Sequence, residues 1–228
     1  MASLGDYINA TRQFIRDNIS GPNISGQFYS DAQVIQWINK ARSDVIRDTS
    51  STRALALLTL NLGQELYSYQ SVLSALQTQG VPANSILWVA GIGLNWTSSL
   101  RFSLNRCSWP QFSAYYRSIP TFQSFPIVYC EYAQSIYVAP VPNQMYTAEV
   151  DCVWLPSLLV NTTDVDGALV DPWIDLVPIL AASWLKWNEQ SWEESELIHQ
   201  RYKMELYDKL SAHPSFTTPS EYDNVDFQ

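Results

Sequence analysis

Apolar positions change their period twice along this chain, and each change marks a different kind of element. Near the start Leu4, Tyr7, Ile8, Thr11, Phe14 and Ile15 recur at three- and four-residue steps. That spacing puts them on one face of a helix reaching to about Asn18, with Ser3 as its N-cap. Residues 20–27 (SGPNISGQ) read as a loop by their Gly, Pro and Asn content. Ser30 and Gln33 have the spacing of a capping box, and Val34, Ile35, Ile38, Ala41, Val45 and Ile46 form the apolar face of a second helix ending near 49–51. Lys40, Arg42, Asp44 and Arg47 fall on its other face.

From Arg53 the period shortens to two. The runs ALALLTLNL, QELYSY, SILWVAGIG, SLRFSL and PIVYCEY are short, apolar or aromatic, and separated by Gly, Pro, Asn and Ser. They predict strands of an antiparallel sheet or small sandwich. Ser108, Trp109 and Pro110 have the form of a cap and first turn for a short inserted helix. The longest alternation lies in residues 134–156 (QSIYVAPVPNQMYTAEVDCVWLP), with Ile136 and Val138 before the prolines and Tyr146, Ala148, Val150, Cys152 and Trp154 after them. Proline has no N–H and a fixed φ, so Pro140 and Pro142 are expected outside any ladder. The stretch then reads as a long hairpin whose projecting tip is Pro140, Val141, Pro142, Asn143 and Gln144. Residues 160–172 read as a surface connection.

The helical period returns after Asp171. Trp173, Leu176, Val177, Leu180, Trp184 and Trp187 form a stripe whose phase continues through Ser191 and Ser195 to Ile198, Tyr202, Leu206 and Leu210. One long helix, or two nearly collinear ones, satisfies this pattern, and Pro178 is compatible if the helix proper starts near Asp175. Residues 213–228 (HPSFTTPSEYDNVDFQ) have no period, two prolines and no Lys or Arg, and read as an extended tail. The expected fold is α+β. N- and C-terminal helices form a bundle around an inserted antiparallel β-rich domain, with segments 1–52, 53–170, 171–212 and the tail 213–228.

Composition narrows the function classes. The net charge is −9, and its distribution is uneven: residues 54–170 hold three Lys/Arg and six Asp/Glu, while residues 171–228 hold four against eleven. A charge-poor middle implies a sheet buried on both faces or covered by other subunits, and the acidic end argues against a phosphate-gripping module. Cys107, Cys130 and Cys152 lack metal-ligand spacing and read as small buried hydrophobes. His199, among Glu193, Glu194 and Glu196, reads as a solvated histidine, and His213 as a cation near a helix end. Gly91 and Gly93 lack the rest of a phosphate loop, and Asp164 and Asp166 lack the downstream Glu of a calcium hand. No catalytic constellation, cofactor site or metal site is expected, and neither export nor membrane insertion. Nine Trp and thirteen Tyr leave two non-enzymatic classes, protein-interface anchors or stacking platforms for a sugar or receptor.

Read in order, the chain resembles the head-to-tail adaptor (connector, or head completion) proteins of short-tailed bacteriophages. The resemblance runs over about residues 3–210 and is carried by FYSDAQVIQWINKARSDVIRDT, WPQFSAYY, IYVAPVPNQMYTAEVDCVWLP and DPWIDLVPILAASWLKW. It implies a twelvefold homo-oligomeric ring at the head-tail junction of the virion, under the portal protein, with viral DNA passing through without sequence-specific binding. The β-rich tip would face a tail nozzle or tail tube protein. The tail segment would dock on the portal through Phe216, Tyr222 and Phe227, with Glu221, Asp223 and Asp226 facing basic residues there. The alternative is an aromatic-rich carbohydrate- or receptor-binding tail accessory protein.

Overall fold

In a computed structural model, residues 1–15, 29–95, 100–117 and 122–212 are described. The fold is α+β, and the chain divides into two compact units: Met1–Ser51 with Leu158–Gln228, and the inserted Thr52–Ser157.

The first unit is helical. Helix α1 (Leu4–Phe14) starts in a capping box between Ser3 and Asp6, and α2 (Asp31–Thr49) in one between Ser30 and Gln33. Both satisfy backbone N–H groups that a helix start leaves without intrahelical partners. Their apolar faces meet α5 (Leu176–Asn188), which is buried nearly all round through Leu176, Val177, Ile179, Leu180, Ala181, Ala182 and Leu185. Pro178 sits in the first turn of α5, where its missing N–H removes no helical bond. Helix α6 (Trp192–Ala212) is neither continuous nor collinear with α5, contrary to the sequence expectation. Gln190, at φ 63°, turns the chain back, and Lys209 near the end of α6 donates to the Pro172 carbonyl before the start of α5 (2.6 Å). The two helices are therefore an antiparallel hairpin. Both helices bury part of that stripe within the unit, Leu176, Val177 and Leu180 on α5 and Ser195 and Tyr202 on α6. Where they cross, Ser183 and Ser195 each donate a hydroxyl to the other's carbonyl (3.3 and 3.0 Å).

The inserted unit contains, in chain order, β1 (Arg53–Leu60), β2 (Leu66–Ser68), α3 (Tyr69–Thr78), β3 (Ala83–Asn95), β4 (Arg101–Ser103), β5 (Asn105–Arg106), α4 (Trp109–Tyr115), β6 (Gln123–Ser124), β7 (Val128–Tyr132), β8 (Ser135–Ala139), β9 (Val141–Pro142) and β10 (Tyr146–Pro156). One sheet has the order β1-β10-β3-β4, a second β2-β8-β7-β5, and β6 pairs with β9. Helix α3 has no counterpart in the alternating pattern. Ser68 caps it by accepting the Ser71 N–H (3.2 Å), and Val72, Leu73 and Leu76 are buried.

The expected hairpin over 134–156 is not formed. Both runs are strands, but β8 is antiparallel to β7 and β2, whereas β10 lies between β1 and β3. Alternation fixes which side chains face inward and carries no information about which strand pairs with which. The tight turn is instead at Ala133 and Gln134, both at positive φ, closing β7 on β8.

Candidate functional site

The five residues expected at a projecting tip form a crossing between sheets. Val141 and Pro142 pair in parallel with Gln123 and Ser124, and the Pro142 carbonyl accepts the Gly63 N–H (2.9 Å). Pro142 is buried, and Pro140 and Val141 are half-buried. Only Asn143 and Gln144 are exposed, followed by Met145 at 70%. Asn143 is held by its N–H to the Ser124 carbonyl (3.2 Å) and by accepting the Tyr146 hydroxyl (2.6 Å). The surface that can meet a partner is therefore narrower than the sequence suggests. The arm residues Phe216, Glu221, Tyr222, Asp223, Asp226 and Phe227, with His213, lie outside the described residues.

Groups with potential chemistry are held as structural elements. His199 is half-buried, its ring 6.4 Å from that of Trp184 and 5.9 Å from that of Tyr202, whose hydroxyl donates to Asp48 (2.6 Å). Burial pushes the Cys130 and Cys152 thiols up to about 12 and raises Cys107 as well, which keeps all three as thiols and not nucleophilic thiolates at neutral pH. Among the described residues no group of three or more His, Cys, Asp or Glu could hold a metal ion, and no helix is long and apolar enough to cross a membrane.

Two carboxylates, one buried and one half-buried, are held in networks not visible in the sequence pattern. Arg42, expected on the polar face of its helix, and Asp166, expected in a surface connection, are 3% and 1% exposed and form an ion pair. Asp166 accepts Arg42 Nε (2.8 Å) and Nη2 (2.9 Å), the Tyr7 hydroxyl (3.2 Å) and the N–H groups of Ala168 (3.1 Å) and Leu169 (3.4 Å). Burial alone would raise its carboxyl, but the Arg42 guanidinium and the two N–H donors outweigh it and hold the group below the ordinary carboxylate range. Beside it Asn39 reads the Leu159 backbone in both directions, donating to its carbonyl and accepting its N–H at 2.9 Å each. In the inserted unit Glu131 accepts the Val89 N–H (2.8 Å) and the Tyr69 hydroxyl and pairs with Arg106 (2.8 Å). Burial first, and this carboxylate second, push the Tyr69 phenol well up. In both networks partners more than 40 positions apart are brought together, which no local spacing reveals.

What remains open is surface. On β1 the outward residues Leu55 and Leu57 are 54% and 53% exposed, in register with Asp151 and Glu149. These two carboxylates are paired with Arg53 and Arg101 respectively. Across from them Gly91 and Gly93 leave the face of the sheet flat, with open space where a Cβ would stand. On the helical unit Trp187, Trp192, Leu197, Met204 and Tyr207 are exposed along the α5 and α6 hairpin. The chemistry available is apolar contact framed by neutralised charges, the composition of a protein-binding surface. No protein-family model matches the chain, and no curated protein matches it in sequence.

Proposed function

We propose that the chain is a structural virion protein, the subunit of a twelvefold head-to-tail adaptor ring that joins the portal to the tail and continues the DNA channel. The observation that carries this reading is the division of the chain: both ends build a helical unit, and a β-rich unit is inserted between them. That order supports the resemblance to adaptors, in which side-by-side helices form the ring and a β-rich part faces the tail. The exposed apolar positions of β1, Leu55 and Leu57, supply surface for neighbouring subunits. The excess of Asp and Glu suits a conduit that must let DNA pass without gripping it. In this reading Asn143, Gln144 and Met145 meet the tail nozzle or tube protein, the arm 213–228 docks on the portal, and the protein is not an enzyme and uses no cofactor.

A sugar- or receptor-binding accessory protein needs open indole faces. Trp109 is stacked on Tyr132 (4.3 Å) with Arg117 also against its ring (5.3 Å), Lys40 lies over both Trp37 and Trp184, Trp154 and Trp173 are buried, and the half-exposed Trp187 and Trp192 pack edge to face on each other (4.2 Å). The adaptor reading is therefore preferred. Native mass spectrometry of the protein alone and after mixing with portal rings tests it. Saturation of each ring by a fixed, symmetric number of copies is expected, whereas two species that never co-migrate would refute it. Removing residues 213–228 should leave the melting temperature nearly unchanged and abolish attachment. A truncated protein that still co-sediments at the wild-type level would refute the arm.

A further inference from the structure

Helix α6 has two faces. Ser195 and Tyr202 are buried, while Leu197, Gln200, Met204 and Tyr207 stand exposed on the opposite side at alternating steps of three and four. At 67%, 64% and 76% exposure, Leu197, Met204 and Tyr207 make a narrow apolar stripe that contributes little to the unit's own core. Alternating steps of three and four give the 3.5-residue repeat by which one helix packs along another.

The charges beside the stripe discriminate between orientations. With Leu197 and Met204 at a positions and Gln200 and Tyr207 at d, Glu194, Arg201 and Asp208 occupy e, and Glu196 and Lys203 occupy g. In a parallel pair each g side chain faces the e side chain five residues further along the partner helix. Glu196 then meets Arg201 of a second copy and Lys203 meets its Asp208, and the two-fold axis repeats both attractions. In an antiparallel pair g faces g and e faces e. Lys203 would meet Lys203 and Arg201 would meet Arg201, both repulsions, while Glu194, already paired with Lys186 of its own chain (3.2 Å), would meet Asp208. Arg201 also bonds Glu205 in its own helix (2.9 Å) and lies over the Phe14 ring (5.2 Å). Its side chain is nevertheless 56% exposed, which leaves other N–H donors of the guanidinium free to reach outward.

We propose that the outer face of α6 is a self-association seam that pairs in parallel with α6 of a second copy of this chain, the flanking charges fixing the orientation. Such a pair is closed and two-fold. It does not rest on the adaptor reading, since it is a property of the isolated protein. Light scattering and sedimentation equilibrium across a concentration series should give a monomer–dimer equilibrium for the wild type. The double substitution Leu197→Glu, Met204→Glu should give a monomer of unchanged circular dichroism and melting, both side chains being exposed. Glu196→Lys should weaken the dimer about threefold to tenfold, and adding Arg201→Glu should recover most of the loss. A d-position residue faces its own counterpart only in the parallel pair, so Gln200→Cys in a Cys107→Ser background should give a covalent dimer with oxidised glutathione. A monomeric wild type overturns the proposal, as does a dimer indifferent to the double substitution or one that fails to cross-link through position 200. A wild-type monomer whose double variant loses portal attachment also overturns it and gives the face to the portal. An intact dimer that never binds portal rings sinks the adaptor reading alone.

Discussion

Substituting Asn for Asp166 tests whether the returning chain is held by charge or only by packing. The substitution keeps the volume but removes the carboxylate that accepts from both Nε and Nη2 of Arg42, a side chain in a residue only 3% exposed. The five donors that converge on Asp166, from Arg42 Nε and Nη2, Tyr7, Ala168 and Leu169, would then share one amide oxygen, with an NH₂ group facing the rest. Breaking a buried pair by removing one partner costs about 3–5 kcal/mol. In a chain of 228 residues that corresponds to a melting temperature lowered by roughly 6–20 °C. Urea and thermal unfolding followed by circular dichroism measure it. The double substitution Arg42→Met, Asp166→Leu should recover most of the loss, because it removes the buried guanidinium together with the carboxylate that accepts from it. The pH dependence gives an independent check. The folded Asp166 carboxyl is held below its unfolded value of about 3.9, so its contribution is full above that pH and disappears as pH falls through the folded value. The gap between wild type and Asp166→Asn should therefore be constant from pH 5 to 8 and narrow below about pH 4. A loss under about 1 kcal/mol at pH 7, or a gap that widens in acid, would refute the reasoning.

Three further outcomes are expected. Gly80, at φ 82° after α3, has open space where a Cβ would sit, so Gly80→Ala should cost about 1 kcal/mol from backbone strain alone, measured by urea unfolding. Cys130 and Cys152 should react with a thiol reagent only on unfolding and Cys107 slowly in the native protein, so a fast native count of two or three thiols would contradict the packing. A cysteine introduced by Asn143→Cys should label quickly in the free protein and slowly in assembled particles, equal rates removing that residue from the tail-facing surface.

The elements that declared themselves in the sequence are those whose signal is local. Ser3 and Ser30 cap helices that begin where the spacing requires, and the apolar alternation of β8 and β10 identifies both strands. Partnering is another matter. The prolines between β8 and β10 suggest a turn, yet a rigid proline segment serves equally well to hand the chain from one sheet to another, and only the pairing with β7 and β1 decides. Helix α3 was hidden because its ten residues follow directly on a strand, although the Ser68 cap was there to read. The α5 and α6 stripes keep one phase across a reversal, so periodicity alone cannot separate a hairpin from a rod. At the candidate surface the exposure of Asn143 and Gln144 was legible, while the burial of Pro142 depends on Gly63, a residue from a distant turn. The Leu197 and Met204 spacing of seven was present but was overshadowed by the stronger inner stripe.

The inserted unit has its two ends clasped. Thr52 donates its hydroxyl to the Trp154 carbonyl (2.5 Å), and its own carbonyl accepts the Trp154 N–H (3.1 Å). The long excursion from Ser51 to Leu158 thus begins and finishes at nearly one point in space, which has a consequence during synthesis. On the ribosome α1 and α2 emerge first but lack α5, against which they bury their apolar faces, so they wait while the β-rich unit is made. Once that unit closes its own ends, it shortens the effective loop between α2 and α5 from over a hundred residues to about twenty, and the entropy of joining the helices falls accordingly. Nascent-chain proteolysis should therefore find protection arising first around Thr52–Ser157, and only afterwards, in a single step, in the helices made before and after it.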